Sequence, residues 1–240
     1  MIMNQKNGWM GRRSFLNLTG TGSMALVAAV TGGAFWSIQS DQAIAASLEP
    51  LSPDAALKRL MDGNQRFVQQ KSQHPDQSPT RMKEVAQAQH PFATVLSCAD
   101  SRVAPEILFD EGIGDLFDIR VAGNIVIPEV LGSIEYAAAI LGTPLLMVLG
   151  HERCGAVTAA VQGEPLPGHM GSFVKAIEPA ISRTKGKSGD SVDNAVIANV
   201  QYQIEQLKQS SDILSGRSQD GTLKIVGGRY DLDTGTVTLI

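Results

Sequence analysis

Read for its alternation of apolar and polar positions, the chain changes character near residue 90. Before that point the pattern is helical: Ser52-Pro53-Asp54 supplies an N-cap, a first-turn proline and an acidic first turn. Leu57, Leu60, Met61 and Phe67 follow at helical spacing, with an interruption expected at Gly63-Asn64. Residues 71–80 are polar and proline-bearing, hence a loop, and residues 80–89 predict a shorter helix. Beyond them, short continuous apolar runs alternate with helical stretches. Ala93–Ser97, Leu116–Ala122, Pro144–Leu149 and Leu223–Asp231 read as strands, the first apolar enough to be covered on both faces. Between them lie a turn or two of helix at Pro105–Asp110 and helices at Glu129–Leu141, Arg153–Val161, 171–183 and 190–209. Asp233-Thr234-Gly235 then turns the chain back through Thr236–Ile240. Four apolar strands alternating with helices predict an α/β domain, a mainly parallel central sheet flanked by helices.

The first 45 residues follow a different rule. Gly11-Arg12-Arg13-Ser14-Phe15-Leu16 precedes an uncharged apolar and small-residue stretch from Leu18 to Trp36, and Ala43-Ile44-Ala45-Ala46 offers a cleavage site. Basic, apolar and small-residue regions in that order make a signal peptide. The paired arginines resemble the twin-arginine export signal. An uncleaved membrane anchor is the alternative, since the stretch approaches spanning length. Export would deliver residues 46–240 as one domain to the periplasm, or to a thylakoid lumen or the outside of the cell. The membrane would then be met only through an uncleaved N-terminal segment. The net charge of −4 and the absence of any basic cluster exclude nucleic acid as an expected partner.

Candidate chemistry gathers at two strand ends. Cys98-Ala99-Asp100-Ser101-Arg102 follows the first strand, and His151-Glu152-Arg153-Cys154 follows the third; these hold the only two cysteines. An oxidising destination favours a Cys98–Cys154 disulfide. Two unrelated core thiols are a second possibility and two ligands of one metal ion a third. In α/β sheets functional groups collect beyond the carboxyl ends of the strands. If the first and third strands are neighbours, Cys98, His151 and Cys154 converge. Two thiolates and an imidazole suit Zn²⁺ with its fourth position open, as in catalytic rather than structural sites. Asp100 and Arg102 would then form a pair beside the ion, the arginine holding the carboxylate as a hydrogen-bond acceptor.

These motifs, with Asp62-Gly63-Asn64-Gln65-Arg66-Phe67, Arg120-Val121-Ala122-Gly123-Asn124, Gly132-Ser133-Ile134-Glu135-Tyr136 and Tyr230-Asp231-Leu232-Asp233-Thr234-Gly235, resemble the β-class carbonic anhydrases over nearly all of residues 46–240. The resemblance implies a zinc enzyme, one ion per subunit, that reversibly hydrates CO₂ to bicarbonate and a proton by metal-bound hydroxide. It implies zinc ligands Cys98, His151 and Cys154 and a catalytic dyad of Asp100 and Arg102. It further implies a homodimer or dimer of dimers whose CO₂ pocket, at the subunit interface, is walled by Gln89, Phe117 and Tyr136, as in the plant-like subclass. Aromatic residues on a strand and a helix are otherwise ordinary core, and Arg120 is expected as a buried ion-pair partner. A second subclass binds regulatory bicarbonate beside a tryptophan three residues before the first cysteine; Val95 stands there, which argues against that regulation. Two other functions fit the same residues: a zinc hydrolase of carbon disulfide or carbonyl sulfide on this fold, and a non-enzymatic exported protein with the disulfide.

Overall fold

The computed structural model describes residues 51–240. The expected signal or anchor at residues 1–45 lies outside them. Among the described residues no helix is long and apolar enough to cross a membrane.

Helix α1 (Pro53–Val68) starts as its capping residues require, the Ser52 side chain accepting from the Ala55 N–H. It runs without a break through Gly63-Asn64, contrary to the expected interruption. Glycine is there for a close approach: a Cβ on Gly63 would lie 1.7 Å from the Phe109 carbonyl oxygen. Asn64 beside it is buried and donates to the carbonyls of Leu108 and Gly235 while accepting from the Val237 N–H. The pair welds the helix to two distant loops. Helix α2 (Pro79–Val85) stops short of the expected residue 89. None of its residues is buried, so no packing extends it, and Pro91 disfavours helix just before it.

The rest follows as strand and helix in turn. Strand β1 (Ala93–Ser97), the short helix α3 (Pro105–Leu108) and strand β2 (Leu116–Arg120) lead through a 3₁₀ turn to α4 (Pro128–Ala139). Then come β3 (Leu145–His151), α5 (Gly155–Gln162), α6 (Gly171–Ser182), α7 (Ser191–Ser210), α8 (Asp212–Gln219), β4 (Lys224–Tyr230) and β5 (Val237–Leu239). Helix α8 carries no readable apolar stripe. Only its Leu214 is buried, and the Ser211 side chain caps it by accepting from the Leu214 N–H.

The five strands lie in the order β2-β1-β3-β4-β5. All neighbours are parallel except β5, which returns antiparallel to β4. Every residue of β1 and β3 is buried, as their unbroken apolar runs require. One face of the sheet packs Val95, Met147 and Leu149 with Leu60 of α1; the other packs Leu96, Leu146 and Val148 with Ile134 of α4 and Val200 of α7. From β1 the chain steps outward to β2, then returns to the opposite side of β1 to lay down β3. That reversal of direction opens a crevice at the carboxyl ends of β1 and β3.

Candidate metal centre

Cys98 is the first residue beyond β1, His151 is the last of β3, and Cys154 is the N-cap of α5. Because β1 and β3 are adjacent, the three converge at the crevice. Their ligating atoms all lie within 4.8 Å of one another, and all three residues are buried. Cys154 sits just before the first turn predicted for it, because Arg153 takes a left-handed conformation (φ +49°) that bends the chain sharply between the last strand residue and the helix.

The two Sγ atoms stand 3.9 Å apart and both thiols are free. A disulfide needs about 2.05 Å, so that reading fails. Two thiolates at about 2.3 Å from one tetrahedral ion are separated by roughly 3.8 Å, which matches. The imidazole agrees. Its Nδ1 lies 2.8 Å from the Glu152 carbonyl oxygen, which can only accept, so the proton is on Nδ1. Nε2 therefore carries a lone pair, fully buried and without any partner. An orphaned buried acceptor is costly unless something fills its place, and a cation does so. The donor set therefore fits a zinc-type ion with an open fourth position.

Electrostatics point the same way. The hydrogen bond with the Cys154 thiol, against the opposing effect of burial and helped by the backbone N–H groups of Gly123 and Asp100, holds the Cys98 thiol below the ordinary thiol range. As the donor in that pair, and buried, Cys154 is pushed up. A bound cation would displace the protons of both thiols. The Gly123 N–H donates to Cys98 Sγ at 3.4 Å. Gly123 adopts φ +73°, and a Cβ there would come within 2.7 Å of Ile177 Cδ1. Glycine is what lets this N–H reach the sulfur.

Asp100 stands at the rim. Arg102 grips it in a fork, Nε to Oδ1 at 2.9 Å and Nη2 to Oδ2 at 2.8 Å, and the Arg102 backbone N–H adds a third bond at 3.0 Å. These bonds hold the carboxyl well below the usual carboxylate range. Asp100 Oδ2 is 3.9 Å from His151 Nε2, but its carboxylate is not among the ligating atoms that gather within 4.8 Å of one another. Arg120 is not the buried ion-pair partner that was expected. It is exposed and donates to two carbonyls of the same loop, Cys98 O at 3.2 Å and Asp100 O at 2.7 Å. Those carbonyls accept as well as a carboxylate would, and no residue pattern marks them.

The three predicted pocket residues are not assembled around the triad of their own protomer. Phe117 and Tyr136 do meet, their ring centroids 6.3 Å apart. Phe117, however, is level with Thr94 in the sheet, four residues before Cys98. At about 3.3 Å per residue that is roughly 13 Å along the strand. Gln89 is exposed in the segment between α2 and β1. A cavity of about 280 Å³ lined by His74, Gln77, Glu106, Ile107, Asp110 and Glu111 contains no member of the triad.

The family model described as carbonic anhydrase matches residues 93–237. The chain is 42% identical over 192 residues to carbonic anhydrase 2 of Mycobacterium tuberculosis, covering 78% of this chain and 93% of that protein. The same figures hold for a carbonic anhydrase of Mycolicibacterium smegmatis. Among solved structures, the β-carbonic anhydrase of Coccomyxa superposes with a TM-score of 0.62 at 27% identity, over 77% of this chain and 86% of that one. The β-carbonic anhydrase CcaA gives 0.61 at 26%, over 76% and 94%. With its two cysteines and histidine gathered at the switch point of a parallel sheet, the chain belongs to the β-carbonic anhydrase family.

Proposed function

We propose that the protein reversibly hydrates CO₂ to bicarbonate at a zinc ion held by Cys98, His151 and Cys154. The observation that carries this reading is the buried, unpartnered Nε2 of His151, aimed between two free sulfurs at ligand spacing. Bound zinc supplies Lewis acidity, lowering the pKa of water toward neutrality, as the three-histidine carbonic anhydrases illustrate. The chain's own residues supply the rest. Cys98 and Cys154 offer the two sulfur ligands, and Nδ1–H bonded to Glu152 O fixes His151 in the tautomer that presents Nε2. Asp100, ionised throughout the neutral range, is too weak a base to store the reaction's proton. Its part is to accept a hydrogen bond at Oδ2 and so orient the nucleophile, while the fork from Arg102 keeps the carboxylate in place.

One protomer does not wall the site. We place Gln89, Phe117 and Tyr136, in the manner of the plant-like subclass, as the walls of the partner's pocket in a homodimer or dimer of dimers. Support comes from β2 being an edge strand among the described residues, and from Tyr136 and Ile140 at the end of α4, which are 45% and 69% exposed. Buried Val95 stands where the regulated subclass carries tryptophan, in keeping with the plant-like assignment. The paired Arg12-Arg13 before an uncharged stretch supports export by the twin-arginine route, with the periplasm as destination.

Metal analysis with stopped-flow CO₂ hydration tests the reading. One zinc per chain and hydration activity are expected. Asp100→Ala should keep the zinc and lose most of the activity, and Cys98→Ala should lose both. A protein that takes up no zinc, or an Asp100→Ala variant of full activity, refutes it. Faster turnover of carbon disulfide than of CO₂ would move the assignment to the hydrolase.

A further inference from the structure

We infer that Glu152 is a positioning residue for the metal centre, with Arg229 and Asp193 as its anchors. The inference rests on the metal reading above and goes beyond it. The His151-x-x-Cys154 motif places Glu152 only as one of the two residues between the ligands. In the fold its carbonyl receives the Nδ1–H of His151 at 2.8 Å, and so fixes both tautomer and ring plane.

That carbonyl is held from three sides. The Glu152 backbone N–H donates to the Tyr230 carbonyl at 3.0 Å, extending the β3–β4 pairing by one residue. The carboxylate is divided between two donors, Oε1 taking Arg229 Nη2 at 2.7 Å and Oε2 taking the Leu232 N–H at 3.1 Å. Arg229 is in turn tied by Nε to Asp193 Oδ1 at 2.7 Å, in the first turn of α7. Glu152 and Arg229 side chains are only 17% and 19% exposed, so their charge-assisted bond is less screened than a surface pair. Just beyond Glu152, Arg153 occupies the left-handed region, which a residue with a Cβ adopts reluctantly. A turn of that kind needs outside support. The Glu152–Arg229–Asp193 chain supplies it by fastening the loop between two ligands to β4 and α7. Released from Arg229, the Glu152–Arg153 peptide is free to rotate, and His151 loses the acceptor that aims Nε2 at the sulfurs. Outer hydrogen-bond partners of a ligating histidine act on metal binding in this way.

The test is metal binding by the intact protein, read apart from catalysis. Zn²⁺ affinity is measured by competition with a chromogenic chelator, and the visible spectrum of the Co²⁺-substituted protein reports ligand geometry. Glu152→Gln, which keeps the size and the backbone, should weaken zinc about tenfold or more and shift the Co²⁺ bands. Asp193→Asn, one step removed, should do so in the same direction and less. The thermal midpoint of the metal-free proteins is the control, since a merely structural role lowers it without changing the spectrum of the folded protein. Unaltered zinc affinity and Co²⁺ spectrum in Glu152→Gln overturn the inference while leaving the metal reading standing. If Glu152→Gln does not fold, Arg229→Gln and Asp193→Asn carry the same comparison, with the same two outcomes. A wild-type protein that binds neither ion refutes both readings.

Discussion

Asp118→Asn isolates one buried proton whose effect on stability has a defined sign and ceiling. Asp118 lies in the middle of β2, opposite Val95 of β1, and both its carboxylate oxygens are buried without a donor. Burial, then the charge of nearby Glu106, pushes the group up to about 8, against a smaller opposing pull from Arg120. The folded protein therefore keeps the proton between roughly pH 4 and 8, where the unfolded chain has already released it. With more protons bound when folded, stability falls as pH rises through that window and is flat above it. The slope is about 1.4 kcal/mol per pH unit, and the whole span caps the effect at roughly 6 kcal/mol. Asparagine has the size of the protonated acid and cannot ionise. Denaturant unfolding of both proteins across the neutral range, at fixed protein and zinc concentration, gives the difference in stability. It should move in favour of Asp118→Asn by about 3 kcal/mol between about pH 5.5 and 8 and then level off. A difference that stays flat across this range refutes the buried neutral carboxyl.

Two further outcomes follow from the packing. Gly150→Ala, next to His151, would place a Cβ 2.6 Å from Val200 Cγ2 and 3.0 Å from Val196 Cγ1. Overpacking of that kind costs about 1–3 kcal/mol, so the unfolding midpoint should drop and zinc affinity with it; an unchanged midpoint would contradict the close helix–strand contact. Ile140→Asp, at the exposed end of α4, should yield monomers in sedimentation velocity and a loss of CO₂ hydration with zinc retained. Fully active monomers would show that the pocket does not need Phe117 and Tyr136 from a partner.

What could be read from the sequence was what local pattern encodes. Unbroken apolar runs announced β1 and β3 as strands, β1 as one covered on both faces, and the residues at their ends were then placed by sheet geometry. Cys98, His151 and Cys154 were legible for that reason, given one condition that the strand order met. The Asp100–Arg102 fork was legible too, because both partners sit on one short loop. The remainder depends on contacts between residues far apart in the chain. Gly63 looked like a helix breaker because the Phe109 carbonyl it admits is dozens of residues away. Arg120 looked like half of an ion pair because its acceptors are backbone carbonyls, which every residue has and no residue type reveals.

Glu152 shows the difference most directly. In the sequence its nearest cation is the adjacent Arg153, and a local pairing is the natural reading. In the fold those two side chains are 3.8 Å apart, whereas Arg229 reaches Glu152 at 2.7 Å and Arg153 turns away to Asp233 at 2.7 Å. Glu152 and Arg153 have each exchanged a neighbour in sequence for a partner in β4 or the turn that follows it. That exchange is what the His151–Cys154 turn demands: a left-handed residue between two ligands is poorly held by its own flanks, so the restraint has to come from another strand. The ligands are therefore named by a short motif, but their mutual geometry is set by the closing segment of the chain, some eighty residues later.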